Sequence, residues 1–553
     1  MQRLRRFGVL IPVFSLKRDH DLGIGDTLAM KEAVDWASAH DIGFLQLLPI
    51  NETGSDSSPY NAISSIALDP VLIAVDEIPG ITAEAIALED AACVHENLVD
   101  YSTAGAAKWR LLKAGYEIFR SKGGPTPEFD AFRKAEQDWL VSYTKYRWLM
   151  ELAGTEEWEH WPEEYNTSEK ADAYLATLPP EDVEQSLTYY AWVQWHAFSQ
   201  WRDLRNYAAS KNVKLMGDIP IGISYSSADV FFEPQWFDLT LSGGSPPETV
   251  FKDDAFACQW GQNWGIPLYN WEELEKHDFS WWRRRIEKLT DVFHIFRIDH
   301  ILGFYRIFSF PWRPARNAEF LGLTDAKAKK LTGGELPKFH PHPDDTVAHK
   351  KANLEAGDKY LKVVLEAAGD GEVVGEDLGC VPDYVRPHLA KLGIAGFKIC
   401  HWEELGEGQA VPGSEYPECS FATYATHDHD SIPALWNALL DMLNGLEHEG
   451  AMRGLALLSD FAGLPKGETA AAYSKYGPVV KWALLEKLVM CRSDYAAIMI
   501  TDLIDSTKRI NIPGTVGGEN WRYRLPWKLD DMPDPLRREC QRLKEQIHLA
   551  GRD

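Results

Sequence analysis

A short apolar run that ends in polar or acidic residues recurs along this chain, and no other feature constrains the possible fold as strongly. We identify eight such runs, at 8–14, 43–50, 213–221, 292–300, 372–379, 396–402, 420–430 and 496–504. Nearly continuous apolar runs are typical of strands in a parallel sheet that is covered on both faces. Because helical patterns such as 29–40 and 383–393 lie between them, the sequence predicts an α/β fold, a (β/α)8 TIM barrel. A doubly wound open sheet is the alternative.

The connections between these runs differ in length, which predicts where insertions lie. We interpret residues 1–553 as a single barrel unit. A mostly helical insertion is predicted at 75–200, between the second and third strands, and an insertion rich in Gly, Pro and Trp at 222–291, between the third and fourth. Insertions in barrels usually lie on one face and shape the site there. The insertion at 222–291 is therefore predicted to bind substrate.

Net charge and cysteine spacing exclude several classes of protein. The formal net charge of −26 argues against nucleic-acid and membrane partners, since both favour a basic surface. The seven cysteines are widely spaced and contain no C-x-x-C, so neither a disulfide framework nor a zinc site is indicated. Residues 1–14 begin with basic residues, but their apolar run is short and contains Pro12. We interpret this start as a strand rather than a signal peptide and expect a cytoplasmic protein.

Acidic and imidazole side chains stand at the ends of the predicted strands. In barrel enzymes the chemistry takes place at the C-terminal ends of the strands. The side chains concerned are Asp218 (third strand), Asp299 (fourth), Glu376 (fifth), His427 and Asp428 (seventh) and Asp502 (eighth). A strand-end aspartate also often caps the turn or helix that follows. For Asp218 and Asp502 this second interpretation stays open.

Asp299 and Glu376 stand at the ends of neighbouring predicted strands, as the two carboxyl groups used in retaining glycoside chemistry would. Arg297 lies two residues before Asp299, on the same face of the strand, where its charge can keep Asp299 ionised. Carboxylates on neighbouring strands, which lie roughly 4.7–4.9 Å apart, could approach the separation of about 5–5.5 Å that retaining enzymes use. We interpret Asp299 as the nucleophile and Glu376 as the general acid/base. Asp428 is a third carboxylate that could stabilise positive charge on a sugar or hold its hydroxyl groups.

Longer motifs show a resemblance to a known family. The chain contains, in the order in which the amylomaltases (4-α-glucanotransferases, or disproportionating enzymes) have them, "GVLIPVFSLKRDHDLGIGD", "LLPINETGSDSSPYNAISSIALDP", "GDIPIGISYSSADV", "GQNWGIPLYNW", "FRIDHILGF", "GEDLGCVP", "THDHD" and "NIPGTVGGENWRYR". It resembles this family from about residue 6 to 526. The resemblance implies a barrel with inserted subdomains that lacks the C-terminal β-domain of α-amylases. It also implies transfer of α-1,4-glucan segments between maltooligosaccharides through a covalent glucosyl-enzyme.

The resemblance also implies roles for individual residues. The family's nucleophile falls on Asp299, its acid/base on Glu376 and its third carboxylate on Asp428. Sugar-contacting positions of the family's motifs fall on Tyr60, Asp218, Gln262, Trp264, Arg297, His300 and His427. Because the strand ends carry acids enough for proton transfer and nucleophilic attack, we expect no metal or organic cofactor.

The segment 259–271 is rich in aromatic residues and predicts where an acceptor sugar is held. Gly261 and Gly265 would let it close as a loop. Trp264, between Asn263 and Gly265, is the expected platform for the acceptor, whereas Trp260 and Trp271 are expected in the core.

Several positions depart from the family's usual motifs. Leu302 replaces an arginine in "IDHILG", His429 replaces an asparagine in "THDHD", and Tyr424-Ala425 stands where Thr-Gly is usual. The segment 243–260, "GGSPPETVFKDDAFACQW", is altered and longer. These departures leave the three carboxylates in place. They bear on which glucans the enzyme prefers as donor and as acceptor.

Three alternatives to a glucanotransferase stay open on the sequence. A hydrolytic α-amylase-like glycosidase would use the same carboxylates. A carboxylate–imidazole set such as Asp299, Glu376, His427 and Asp428 could bind a divalent metal. A non-catalytic glucan-binding protein is disfavoured, because such a protein would normally have lost a carboxylate.

Overall fold

Fourteen strands are found in the part of the chain that the computed structural model describes, residues 5–248, 254–406, 408–443, 448–464 and 475–552. In chain order they are β1 (Arg6–Leu10), β2 (Phe44–Gln46), β3 (Lys214–Ile219), β4 (Phe237–Ser245), β5 (Gln262–Tyr269), β6 (Ile295–Ile298), β7 (Ile307–Phe310), β8 (Lys338–His340), β9 (Glu372–Gly375), β10 (Ala395–Ile399), β11 (Glu404–Gly406), β12 (Gln409–Ala410), β13 (Ser420–Thr423) and β14 (Tyr495–Met499).

Eight of these strands form a closed parallel barrel in the order β1-β2-β3-β6-β9-β10-β13-β14, with β14 paired to β1. Each barrel strand pairs with the next one in this order, and each overlaps one of the eight predicted runs. The predicted (β/α)8 TIM barrel is confirmed, and the open-sheet alternative is wrong because the first and last strands pair along five residues.

Side chains alternate between the inside of the barrel and its outer surface, as the pleat of a strand requires. In β6, Ile295 belongs to the inner apolar cluster, and Phe296 and Ile298 belong to the larger core beneath the helices. Arg297 is therefore directed inward, and its guanidinium lies 5.7 Å from the ring centroid of Phe397. The same alternation directs Asp218 inward, two residues after Met216 of the inner cluster. A polar layer thus sits above the apolar filling of the barrel.

Helices surround the barrel and fill the long connections. Between β2 and β3 the chain forms Ala83–Asp90, Tyr101–Ser121, Pro127–Ala135, Gln137–Ala153, Ser168–Leu175 and Pro180–Ser210. The other helices of the described residues are Thr27–Ala39, Ala228–Phe232, Ala255–Trp260, Trp271–Lys276, Ser280–Thr290, Asn317–Phe320, Asp325–Leu331, Val347–Ala368, Val385–Leu392, Ile432–Met442, His448–Ala462, Pro478–Met490, Ile500–Leu503 and Asp534–Leu549. Among the helices described, none combines the length and the apolar character needed to span a membrane. The boundaries 75–200 and 222–291 stay predictions.

A second, antiparallel sheet was not predicted. It has the order β5-β4-β7-β8 and combines the segment between β3 and β6 with the segment that follows β6. The prediction that 259–271 is a loop is wrong for Gln262–Tyr269, which pairs with β4 as strand β5. Gly261 and Gly265 adopt φ values of 100° and 74°, so the glycines bend the chain into and within this strand rather than hinge a loop. The described residues after β14 contain helices and turns but no further sheet.

Candidate active site

Arg297 joins two carboxylates at the C-terminal mouth of the barrel. Its Nη1 donates to both oxygens of Asp218, at 2.8 and 2.7 Å, and its Nη2 lies 2.8 Å from Oδ1 of Asp299. The pair between Arg297 and Asp218 is buried, while the side chain of Asp299 is 28% exposed. The ion pair that the spacing of Arg297 and Asp299 predicted is present. This pair holds the carboxylate of Asp299 at the barrel mouth and leaves it accessible.

Glu376 leaves β9 next to Asp299 and is held by backbone groups. The N–H of His300 donates to Oε2 and the N–H of Leu378 donates to Oε1, each at 2.9 Å. Gly375 precedes it because Ile301 packs there: a Cβ at this position would lie 2.5 Å from Cδ1 of Ile301. The carboxyl of Glu376 is therefore fixed beside the turn that carries Asp299.

Burial and charge give Glu376 a proton affinity suited to acid/base chemistry. Desolvation raises its pKa to about 7, with a further contribution from the negative charge of Asp299, against the opposing effect of Arg297 and the two backbone N–H groups. A general acid is most effective when its pKa lies near the working pH. Glu376 can therefore both give and take a proton near neutrality.

Asp428 follows β13 and is held by the chain segment after β14. Asn511 donates from Nδ2 to Oδ1 of Asp428 at 2.7 Å, and its backbone N–H donates to the carbonyl of His427 at 3.2 Å. Burial by itself would raise the pKa of Asp428, but His427 and the Asn511 hydrogen bond lower it below its ordinary value. Arg509 donates to the backbone carbonyl of Asp428. Asp428 is thus an ionised carboxylate on the same rim.

An aromatic wall lies between Asp218 and Asp428. The rings of Tyr60 and His427 stack with centroids 5.2 Å apart and planes inclined by 18°, and the hydroxyl of Tyr60 donates to Asp218 at 2.6 Å. The ring of Trp521 lies 5.6 Å from both. Flat faces of this kind suit the apolar faces of sugar rings.

Gln262, Trp264 and His300 lie together on the other side of Glu376. The indole N–H of Trp264 donates to Oε1 of Gln262 at 3.0 Å, and the Trp264 ring meets the His300 ring edge-on at 4.8 Å. Trp264 is 36% exposed. Burial lowers the pKa of His300 to about 4, so this imidazole is neutral at neutral pH. All three side chains line a cavity of about 180 Å³ that also contacts Glu376.

Not every residue singled out in the sequence joins the site. Asp502 accepts hydrogen bonds from the backbone of Met499 and Ile432, at 2.9 and 2.7 Å, so its capping interpretation is correct. Trp260 is buried and donates to the carbonyl of Phe320, and Trp271 stacks on Tyr360 at 3.9 Å. Both belong to the core, as predicted.

Sequence reasoning missed Asn511 and Trp521. Both lie in the motif "NIPGTVGGENWRYR", which contributed to the resemblance without any of its residues being assigned a role. The local pattern gives no reason to place either side chain on the rim, because both contacts join distant parts of the chain. Asn511 and Asp428 are about 80 positions apart, and Trp521 and Tyr60 are about 460 positions apart. Long-range contacts of this kind are set by how the barrel closes.

The spacing of the rim side chains does not favour a metal. Among the described residues, one group of three offers His, Cys, Asp or Glu ligand atoms within 4.8 Å of one another: Asp21, Asp90 and His95. None of these is a residue of the rim. Of the proposed metal ligands, Asp299 is already paired with the guanidinium of Arg297. The metal alternative for the rim therefore has no support in the geometry.

The fold and the site together define a class of enzyme. Carboxylates at the C-terminal mouth of a (β/α)8 barrel, one paired with arginine and another with a pKa of about 7, are the parts of a glycoside-active enzyme. A family model described as 4-alpha-glucanotransferase matches residues 11–530. The chain therefore belongs to the 4-alpha-glucanotransferase family.

Relatives across this family are similar over nearly the whole chain. A 4-alpha-glucanotransferase of Chlamydia caviae is 28% identical over 537 residues, which cover 95% of this chain and 92% of the relative. One of Thermus thermophilus is 28% identical over 542 residues, with 95% of each chain covered. The solved structure of amylomaltase from Streptococcus agalactiae in complex with acarbose has a TM-score of 0.77, 24% identity and 99% coverage of both chains, and supports the fold. The prediction of a 4-alpha-glucanotransferase is confirmed, and the hydrolase alternative is disfavoured.

Proposed function

We propose that this enzyme moves α-1,4-glucan segments between maltooligosaccharides by double displacement, with Asp299 as the nucleophile and Glu376 as the general acid/base. The observation that carries this proposal is the contrast between the two carboxyl groups. Asp299 is partly exposed, and its Oδ1 lies 2.8 Å from Nη2 of Arg297. Glu376 is buried, and its pKa is raised to about 7. An accessible carboxylate beside a cation suits a nucleophile, and a buried carboxyl group with a raised pKa suits an acid.

The first step breaks the donor glucan. A carboxylate oxygen of Asp299 attacks the anomeric carbon, and Glu376 gives its proton to the glycosidic oxygen as that bond breaks. The leaving chain departs with a new hydroxyl group, and the donor segment stays as an ester on Asp299. The charge of Asp428, held by Asn511, stabilises the positive charge that develops on the sugar ring in the transition state.

The second step forms the product. Glu376, now a carboxylate, takes the proton from the 4-hydroxyl of an acceptor glucan as that oxygen attacks the anomeric carbon, and Asp299 is released. Water competes with the acceptor for the same carbon. An acceptor held in place has an effective molarity that can reach about 10⁵ M or more. We assign this holding role to Trp264, whose exposed ring lines the same cavity as Glu376, with Gln262 and His300 as polar partners.

The donor segment lies on the opposite side of the reacting carbon in this proposal. The stacked rings of Tyr60 and His427 provide a face for a sugar ring. Asp218 and Arg297 are buried and hold each other through two hydrogen bonds. Because Arg297 also pairs with Asp299, together they orient Asp299. Breaking a buried ion pair of this kind costs about 3–5 kcal/mol, so Arg297 also contributes to folding.

Composition supports a place in the cytoplasm for this reaction. The wide spacing of the seven cysteines, without a C-x-x-C, gives no sign of the disulfide framework that exported proteins often carry. Maltooligosaccharides and longer α-1,4-glucans are the proposed substrates.

Incubation of the purified protein with maltotriose alone tests the proposal. Transfer converts maltotriose into a ladder of shorter and longer chains and leaves the total concentration of reducing ends unchanged. Hydrolysis produces only shorter chains and increases the reducing ends. Chromatography by chain length together with a reducing-end assay distinguishes the two. Protein carrying Asp299→Asn, prepared in parallel, controls for contaminating enzymes. Rising reducing ends without longer chains would contradict transfer.

A further inference from the structure

The cavity of about 180 Å³ beside Glu376 lies on one side of the reacting centre. Gln262, Trp264, His300 and Glu376 line it, whereas Asp299 is absent from the residues that line it. Glu376 gives its proton to the oxygen that leaves and takes one from the hydroxyl that enters. A cavity that contacts Glu376 without contacting the nucleophile therefore faces the acceptor side.

Part of the wall of this cavity is apolar, although Ser245, Glu248 and Arg306 also line it. Leu302, Phe308, Phe339, Leu378 and Val385 line it. Leu302 and Phe308 are buried, and the rings of Phe308 and Phe339 meet edge-on at 5.2 Å. Such a wall offers few partners for sugar hydroxyls, and unpaired hydroxyl groups are costly to bury.

The one arginine on this wall is already engaged. The guanidinium of Arg306 lies 3.6 Å from the ring centroid of Phe339, and its Nε lies 2.7 Å from Oδ2 of Asp344. It therefore covers an aromatic ring rather than pointing a free charge at the cavity. Leu302 is buried and apolar and contributes no charge to the same wall.

We propose that this cavity receives an aromatic aglycone attached to the reducing end of the acceptor, so that aryl glucosides are preferred acceptors. The proposal rests on the assigned roles of Asp299 and Glu376. The glucosyl unit of the acceptor lies at Trp264 and His300, and its aglycone continues into the apolar part of the same cavity. An aromatic ring gains from burial against the edge-to-face pair Phe308 and Phe339.

Transfer to an aryl glucoside breaks and forms the same bonds as transfer to a glucan acceptor. The ester bond between Asp299 and the anomeric carbon breaks, and a bond forms between that carbon and O4 of the aryl glucoside. The O4 proton passes to the carboxylate of Glu376. The aglycone itself undergoes no reaction.

The test compares phenyl α-glucoside with methyl α-glucoside as acceptors at a fixed concentration of α-maltotriosyl fluoride. Initial rates of transfer are measured by chromatography of the lengthened glucosides. We expect kcat/KM for the phenyl glucoside to exceed that for the methyl glucoside by about fivefold or more, a difference that burial of one ring can supply. A smaller ratio overturns the proposal.

Variants locate the effect within the cavity. Leu302→Arg should bring the phenyl-to-methyl ratio toward one, because it places a charge on the apolar wall. Leu378→Asn, at a half-buried position, makes the same test if the first variant does not fold. Val347→Arg is the matched control: Val347 is 86% exposed and does not line the cavity, so the ratio should stay at the wild-type value. An unchanged ratio in both folded cavity variants overturns the proposal.

The same experiment separates this inference from the proposed function. If neither glucoside is lengthened and maltotriose yields no ladder of products, the proposed reaction itself is wrong. If both glucosides are lengthened at similar rates, the reaction stands and only the aglycone site is wrong.

Discussion

At the scale of single residues, two carboxyl groups on neighbouring strands differ because their surroundings differ. Asp299 stays partly exposed and has a guanidinium 2.8 Å away. Glu376 is buried against the turn after β6, and its hydrogen-bond donors among the described residues are the backbone N–H groups of His300 and Leu378. Burial disfavours the charged form of a carboxyl group, and a cation favours it. The proposed roles of nucleophile and acid rest on this difference in surroundings within one rim.

Asp299→Asn and Glu376→Gln should each lower turnover of maltotriose by about 10²–10⁴-fold or more. Each removes a group that acts in the transition state, whereas the fold should change little. With α-maltotriosyl fluoride, whose leaving group needs no proton, Glu376→Gln should recover formation of the glycosyl-enzyme and Asp299→Asn should not. Initial rates with both donors check this. Wild-type turnover of maltotriose in either variant would refute the assignment.

The dependence of kcat/KM on pH should report the proton on Glu376. The first step needs this carboxyl group protonated, and its pKa is raised to about 7. As the pH rises through about 7, the protonated fraction falls, and kcat/KM for maltotriose should fall with it. Measured with the fluoride donor, Glu376→Gln should lack this alkaline decline. A wild-type profile that is flat well above neutrality would show that another group is the acid.

Asn511 should act through Asp428 as a positioning residue. Asn511→Ala removes the hydrogen bond at 2.7 Å that lowers the pKa of Asp428, so the pKa should rise and the ionised form should be lost at higher pH than in the wild type. We expect kcat/KM to fall several-fold, with a larger loss at about pH 5 than at about pH 7.

A neighbouring asparagine provides the matched control for Asn511. Asn520 bonds to residues 512 and 515 of its own loop and has no hydrogen bond to Asp428 among those described. Asn520→Ala should therefore leave the shape of the pH profile unchanged, even if the rate falls. Equal pH profiles for Asn511→Ala and the wild type would show that Asn511 only supports the fold.

At the scale of secondary-structure elements, strand β5 places Trp264 beside the mouth of the barrel. β5 pairs with β4 and forms one edge of the antiparallel sheet. A paired strand holds a side chain in a narrower range of positions than a loop does. Trp264 therefore sits as a fixed surface against His300, 4.8 Å away, rather than on a closing lid.

Trp264→Ala should increase the share of donor that is hydrolysed relative to the share that is transferred. Loss of the ring weakens the hold on the acceptor, so water competes more successfully for the glycosyl-enzyme. The first step should suffer less. Reducing-end release and chain-length analysis on maltotriose measure both outcomes. Trp264→Phe, which keeps an aromatic face, should restore much of the transfer. If a folded Trp264→Ala protein keeps the wild-type ratio of transfer to hydrolysis, this strand does not exclude water from the reaction.

At the scale of the whole molecule, closure of the barrel brings acids from distant parts of the chain to one rim. In the proposed mechanism these acids supply both the nucleophile and the proton, so we expect the reaction to proceed without a metal. Dialysis against EDTA should leave the initial rate on maltotriose unchanged. A large loss that Ca²⁺ or Zn²⁺ restores would contradict this and would direct attention to Asp21, Asp90 and His95, which lie apart from the rim residues.

The sequence by itself was enough to predict the eight barrel strands, the acids at their ends and the pairing of Arg297 with Asp299. These features depend on local pattern. A buried parallel strand needs a short apolar run, and residues two apart on a strand share a face. The spacing of residues 297 and 299 therefore determined an ion pair before any tertiary contact was known.

Only the tertiary structure decided how distant segments complete the site. Asn511 reaches Asp428, and Trp521 reaches Tyr60, because the chain after β14 returns across the mouth of the barrel. Strand β5 exists because β4 is available to pair with it, whereas the local sequence around Trp264 and Gly265 is equally compatible with a loop. The raised pKa of Glu376 depends on burial by its neighbours. Contacts, pairing and desolvation are properties of the assembled chain, and local sequence carries little information about them.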